Sequence, residues 1–135
     1  TDLISAEKLF GAVTDGFVIV FEGHFKRNYI HLLDVVQAFE MAIENPNKFR
    51  SNIFNVGLSS ANISKLELCE EIQKIIPNFV FKEAESGKDP DQRNYIVSNE
   101  KIEKLGFRPL ISLHDGLREL VNNIKMFDSK PYTNL

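Results

Sequence analysis

The sequence predicts a mixed α/β domain, and three observations predict it. Capped segments with apolar residues at helical spacing are separated by short runs of β-branched and aromatic residues. The punctuation between them is brief and rich in Gly, Pro, Asn and Asp. The 135 residues, 43% hydrophobic and 26% charged, suit one globular unit. A chain of this size buries roughly two thirds of its unfolded surface, enough for a core without staples.

The elements follow in order. Leu3 to Val13 reads as a helix ending near Gly16, and Phe17 to Phe21 as a strand. Gly23 marks a turn, and Asn28 to Leu32 a second strand. Asp34 and Gln37 form a D-x-x-Q version of the capping box, so a helix is expected from Asp34, with Val35, Ala38, Phe39, Ala42 and Ile43 on one face. Pro46 stops it. Ile53 to Val56 reads as a strand. Ser64 and Glu67 make an S-x-x-E box for a helix whose stripe is Leu68, Cys69, Ile72, Ile75 and Ile76, ended by Pro77. Phe79 to Lys82 is a strand, and residues 83–92 form the longest polar loop. A short helix runs from Asn99 to Leu105, capped by Ser98 and stopped by Gly106. Ser112 caps the last helix, with Asp115 at its positive end and Leu113, Leu117, Leu120, Val121 and Ile124 as its stripe. Residues 1–127 are expected to form one lobe and residues 128–135 a flexible tail.

Composition excludes several classes. The single cysteine, Cys69, leaves no disulfide framework or cysteine-rich zinc site, so a cytoplasmic location is expected. Sixteen basic against nineteen acidic residues give a formal charge of −3, which implies no cationic surface for nucleic acid. No stretch approaches the ~20 apolar residues of a membrane span. The first ten residues have no basic start followed by an apolar run, so no signal peptide is expected. The sequence contains no G-x-G-x-x-G turn, no G-x-x-x-x-G-K-[ST] loop and no G-x-S-x-G elbow, and His24, His31 and His114 lack metal-ligand spacing.

Two clusters could hold an anion. The first runs from Gly23 to His31 and places Lys26 and Arg27 beside a turn, with Tyr29 on the same strand face as Arg27. A planar guanidinium can hold two phosphate oxygens at once. The second runs from Lys88 to Tyr95, where Asp91 could accept from sugar hydroxyls and Lys88 or Arg93 could meet phosphate. On the residues alone the ordinary reading is preferred for both: a solvated hairpin with surface cations, and a polar loop whose charges pair internally. Cys69, on an apolar stripe, reads as an inert core thiol, and His31 as a packing residue. Asn62-Ile63-Ser64 is a formal glycosylation sequon.

The order of these pieces carries more than each alone. Arg27 to Val35 (RNYIHLLDV) resembles the R-[DN]-Y-[IV]-H-V-x-D-[VL] motif of the extended short-chain dehydrogenases/reductases, the NAD-dependent nucleotide-sugar epimerases and dehydratases. Ile53 to Gly57 resembles that family's y-N-[VI]-G strand end, and Ser64 to Leu68 its s-x-x-E-L helix start. Asp91 to Tyr95, Ser98 to Lys104, Leu105 to Pro109 and Ser112 to Leu117 follow its C-terminal sequence. The likeness spans about Val18 to Val121.

The resemblance implies a C-terminal, substrate-binding lobe without the Rossmann half that carries the glycine-rich turn and the catalytic Y-x-x-x-K. Tyr29 is followed four residues on by Leu33 and Tyr95 by Asn99, so neither supplies that motif. The implied function is to bind the nucleoside diphosphate of a nucleotide sugar, with no complete catalytic centre and no cofactor on this chain; NAD(P) is implied for the full-length parent. Arg27 matches the arginine that grips the diphosphate. Ile19 and Phe21 match the segment that packs against the base. Asp91 matches an acidic position that contacts the nucleotide ribose in some members. Lys88 stands where many members have a second arginine in R-P-G-D; lysine keeps the charge and loses the fork, so Arg93 is the alternative for that task. Tyr29 and Asn55 are read as architectural. Self-association into a homodimer is expected where strands that join a larger sheet have open edges. The competing reading is a non-catalytic binding or interaction module that keeps the family fold.

Overall fold

The structure, a computed structural model, describes residues 3–88 and 92–128. Asp91 and residues 129–135 of the expected tail lie outside the described residues. The elements are α1 (Leu3–Thr14), β1 (Phe17–Val20), β2 (Lys26–Asn28), α2 (Leu32–Glu44), α3 (Pro46–Phe49), a 3-10 turn (Ser59–Ala61), β3 (Asn62–Ser64), α4 (Lys65–Ile75), β4 (Val80–Glu83), α5 (Glu100–Glu103) and α6 (Leu113–Asp128). The mixed α/β class holds.

Helix α1 ends because Gly16, at φ +69°, takes the left-handed conformation and returns its N–H to the Gly11 carbonyl at 3.1 Å. The chain then enters β1, which pairs in parallel with β4, Phe17 opposite Val80 through to Val20 opposite Glu83. Val20 turns inward and is fully buried, whereas Phe17 and Ile19 face outward. β2 pairs antiparallel with β3, with Arg27 opposite Ile63. β1 and β2 therefore lie in different sheets, and the hairpin reading around Gly23 is corrected: the turn hands the chain from one sheet to the other. Helices α1, α4 and α6 pack together, and Leu9, Val20, Leu68, Ile72, Phe79 and Val121 form the centre of the main core. A smaller cluster joins Ala38 of α2 to Ile102 and Phe107, with Met41, Phe54 and Val56 around it.

The capping box at Ser64 forms as expected. The Glu67 N–H donates to Ser64 Oγ at 3.1 Å, and the Ser64 N–H donates to Glu67 Oε2 at 2.6 Å. Ser112 likewise accepts from the Asp115 N–H at 3.1 Å. The start of α2 differs. Its cap is His31, whose Nδ1 accepts from the Leu33 N–H at 3.2 Å, so Leu32 opens the helix and the second strand is shorter and earlier than expected. Asp34 lies inside the first turn and is buried, its carboxylate accepting from the N–H groups of Leu110 (2.8 Å) and Ile111 (3.2 Å). That tie fixes the rotation of α2. Ala38 faces the core, but Phe39 is 67% and Ile43 78% exposed, so the single expected stripe is corrected to two faces. Pro46 begins α3 after the Asn45 cap, Asn99 rather than Ser98 takes the cap position of α5, and residues 53–56 pair with no strand among the described residues.

Two asparagines lock the segments around β2 and β3. Asn28 Oδ1 accepts from the Leu58 N–H at 3.0 Å while its amide donates to the Leu58 carbonyl at 2.8 Å and to Asn62 Oδ1 at 3.1 Å. Asn62 makes the same reciprocal pair with Val97, at 2.9 Å in both directions. Gly57 must be glycine for this: a Cβ there would lie 2.3 Å from Asn28 Oδ1 and 2.9 Å from Asn99 Oδ1.

Candidate functional site

β2 carries Arg27 at its centre, and the burial of this residue is complete. Its Nη1 donates to the Lys26 carbonyl at 2.9 Å, and its guanidinium carbon lies 5.4 Å from the Tyr95 ring centroid. The segment 92–95 is held along β2. The Lys26 N–H donates to Asn94 Oδ1 at 2.9 Å, the Tyr95 N–H donates to the Lys26 carbonyl at 3.3 Å, and Gln92 Nε2 donates to Glu22 Oε2 at 2.7 Å. Tyr95, 38% exposed, thus stacks its ring against Arg27.

The turn between β1 and β2 adds a second buried cation. Lys65, the first residue of α4, is fully buried; its Nζ donates to the Phe21 carbonyl at 2.7 Å and stands 5.0 Å from the Phe25 ring centroid. The Gly23 N–H donates to Glu83 Oε1 at 2.7 Å, which pins the turn to the end of β4. Lys65 was not singled out by the sequence reading. A signal existed: a cation at the first position of a helix opposes the helix dipole, so some other partner must hold it.

The predicted residues are distributed as follows. Arg27 sits under the 92–95 segment. Ile19 faces outward on β1, and Phe21 follows at its end, half-exposed, with Gly87 seated on its ring: a Cβ at 87 would come 2.7 Å from Phe21 Cε1. Lys88 and Arg93 are exposed. The chain after β4 therefore leaves along Phe21 and resumes at Gln92 beside Glu22, which brings the two sequence clusters to one flank of the molecule. Asp91 lies outside the described residues. Tyr29 is buried in the main core, and Asn55 donates to the Ser98 carbonyl at 3.3 Å. Cys69 is fully buried, and burial pushes its thiol up to about 11.

A separate apolar groove of about 420 Å³ is lined by residues that include Tyr29, His31, Leu33, Leu113, Leu117 and Glu119, and not by Arg27. His31 Nε2 stands 3.4 Å from Glu119 Oε2 at this groove. With Nδ1 accepting at the cap, Nε2 is the ring nitrogen that carries the proton. Among the described residues no group of three or more His, Cys, Asp and Glu could hold a metal ion, and no helix is long and apolar enough to cross a membrane.

The turn after β1 does not fit a dinucleotide. Its pyrophosphate needs a glycine turn opening onto a helix N-terminus after a parallel strand. After β1 the chain turns at Gly23 into another strand, and the Cβ position of Gly23 is already occupied by the side chains of Leu66 (2.5 Å) and Glu83 (2.9 Å).

No protein-family model matches the chain. Among curated proteins it is 34% identical over 105 residues to the dTDP-4-dehydro-6-deoxyglucose reductase of Escherichia coli, covering 74% of this chain and 31% of that protein. It is 31% identical over 108 residues to the ADP-L-glycero-D-manno-heptose-6-epimerase of Brachyspira hyodysenteriae, covering 74% and 32%. Among solved structures, the ADP-L-glycero-D-manno-heptose-6-epimerase of Helicobacter pylori superposes with a TM-score of 0.72 at 25% identity, over 90% of this chain and 37% of that one. The Thermotoga maritima UDP-glucose 4-epimerase with UDP-glucose gives 0.70 at 24%, over 92% and 40%. The chain spans about a third of the length of the curated relatives it matches. In sequence and fold the chain matches a partial domain of the extended short-chain dehydrogenase/reductase family, and the members it matches are nucleotide-sugar epimerases and reductases.

Proposed function

We propose that this chain is the C-terminal, substrate-binding lobe of a nucleotide-sugar epimerase, dehydratase or reductase, and that it binds the nucleoside diphosphate of the substrate. The observation that carries the reading is the pairing of a buried Arg27 with a cover, Tyr95, drawn from the second sequence cluster. A guanidinium already stripped of water forms stronger bonds to a phosphate than one in solvent, and each charge-assisted bond contributes about 1.5–3 kcal/mol. The diphosphate reaches Arg27 by displacing the Tyr95 ring. Phe21 and Ile19 offer the base an apolar shelf, while Lys88 or Arg93 meets the outer phosphate from the loop, and Asp91 accepts from the ribose. The lobe orients the sugar; hydride and proton transfer, and the NAD(P) they need, belong to the rest of the parent protein.

The test is a titration of the 135-residue chain with UDP, dTDP, GDP, CDP and ADP. Arg27→Lys keeps the charge and loses the fork, and is expected to weaken binding about tenfold or more. Tyr95→Ala is expected to tighten it, because no ring has to be displaced. An Arg27→Lys protein that is folded and binds with unchanged affinity overturns the reading. The complete burial of Arg27 favours one competitor: a non-catalytic module in which the arginine is a structural cation packed under Tyr95. That reading expects no diphosphate binding by the native chain and none by Tyr95→Ala.

A further inference from the structure

His31 joins two helices at the apolar groove. On one side it caps α2, its Nδ1 accepting from the Leu33 N–H at 3.2 Å. On the other its Nε2 stands 3.4 Å from Glu119 Oε2 of α6. The ring rests against α6 at Gly116, where a Cβ would come 3.3 Å from His31 Cδ2, so the glycine leaves the ring its seat. The His31 side chain is 17% exposed and that of Glu119 56%, so water reaches the pair while the ring stays packed.

The usual cap residues, Ser, Thr, Asn and Asp, keep their acceptor between about pH 5 and 8. An imidazole does not. Neutral, it has one acceptor nitrogen; protonated, both nitrogens are donors. Nδ1 then has nothing to offer the Leu33 N–H, and a positive charge stands at the positive end of α2. Nε2 keeps its proton, and its bond to Glu119 gains charge. The two sides of one ring thus answer a proton in opposite ways. Four charged or titratable groups surround it. Asp34, in the first turn of α2, is engaged by the Leu110 and Ile111 N–H groups. Asp115 of α6 is paired with Arg118 at 3.0 Å. Tyr29 is buried beside the groove. Glu119 is the carboxylate that the ring meets.

We propose that His31 is a proton-controlled latch between α2 and α6. Neutral, it caps α2 and holds the start of that helix to α6. Protonated, it releases the first turn of α2 and stays with Glu119. Leu32 and Leu33 belong to that turn and line the groove, so one wall of the groove moves with the proton.

The test begins with the native 135-residue chain and needs no variant. Nitrogen NMR of the His31 ring is expected to show Nδ1 bare and Nε2 protonated at about pH 8, and both protonated at about pH 5. The Leu33 amide signal is expected to move with the midpoint of the ring, while the signal of Leu9 in α1 stays in place. Urea unfolding then measures the latch by comparing His31 with His31→Asn, a cap that does not titrate. In the Glu119→Gln background the second hold is gone. There the unfolding constant of the His31 protein, relative to His31→Asn, is expected to rise about fivefold from about pH 8 to about pH 5, the size of one lost cap. The sign is that of a ring kept neutral by the fold: its contribution is present at high pH and lost as pH falls. With Glu119 in place the rise is expected to be smaller, because the ion pair returns part of it. Four results would each overturn the proposal: a proton on Nδ1 at about pH 8, a Leu33 signal indifferent to the ring, a His31-to-Asn difference equal at both pH values in the Glu119→Gln background, or a larger rise with Glu119 present than without it. No nucleotide enters these readouts, so the latch is tested apart from diphosphate binding.

Discussion

Asp34 shows how one residue can be legible in type and misread in role. A carboxylate at the start of an apolar-periodic segment reads as a cap, and the D-x-x-Q spacing supports that. In the fold the cap is the neighbouring His31, and Asp34 reaches across to the backbone N–H groups of Leu110 and Ile111. Nothing within a few positions of Asp34 announces partners 76 and 77 residues away. Asp34→Ala leaves two partly buried donors without their acceptor and is expected to cost about 1–2 kcal/mol in urea unfolding. Asp34→Asn keeps one acceptor oxygen and is expected to cost less. A loss below about 0.5 kcal/mol for the alanine variant would show the tie to be incidental. Lys65 is the converse case. Its position opposes the helix dipole, a local signal, but its partner, the Phe21 carbonyl, is fixed only by the turn between the two sheets.

Elements were legible where their signals are local. The Ser64 and Ser112 caps sit where the S-x-x-E and S-x-x-D spacings put them, and the apolar stripes of α4 and α6 are buried in the main core or packed against it. Strands were less legible. β3 is three residues of Asn, Ile and Ser with no β-rich run, and it exists because β2 pairs with it. Residues 53–56 have the composition of a strand and no partner among the described residues. α2 was read as one-sided because periodicity counts apolar positions without saying which of two faces meets the core. The capping box of α4 carries a pH signature. The Ser64 N–H and hydroxyl bonds hold the Glu67 carboxyl below its ordinary value of 4.5. A carboxyl lowered in the folded state adds stability above its unfolded pKa and loses it as pH falls through the lowered value. The stability difference between the native chain and Glu67→Gln is therefore expected to be largest near neutrality and to shrink below about pH 4.5. A difference independent of pH from 7 to 3 would refute it.

At the scale of the whole molecule, the main core encloses Cys69 between α1, α4 and α6, and this thiol reports on the fold as a unit. Pushed up to about 11 by burial, it stays neutral at ordinary pH and out of reach of reagents. Its labelling by a thiol reagent is expected to follow global unfolding, with the same denaturant dependence. Labelling at the rate of a free thiol in native buffer would contradict the packing. The sign at high pH also follows: the unfolded thiol ionises from its ordinary value of 9.0 while the folded one does not, so stability is expected to fall as pH rises from there towards about 11. The family likeness and the mixed α/β class were legible because several short motifs stand in one order along the chain, which no single residue could signal. The site was legible only as two clusters; that Arg27 lies buried against Tyr95 is set by the long-range bonds joining Asn94 and Tyr95 to Lys26.

Those bonds do not act alone. Any side chain at position 57 collides with the Asn28 amide, and Asn28 holds Asn62, which holds Val97 two residues beyond Tyr95. A single added methyl group at Gly57 would thus loosen the ring over Arg27 from a distance, through two asparagine amides, without altering either partner. The cover over Arg27 is set as much by that missing atom as by the arginine.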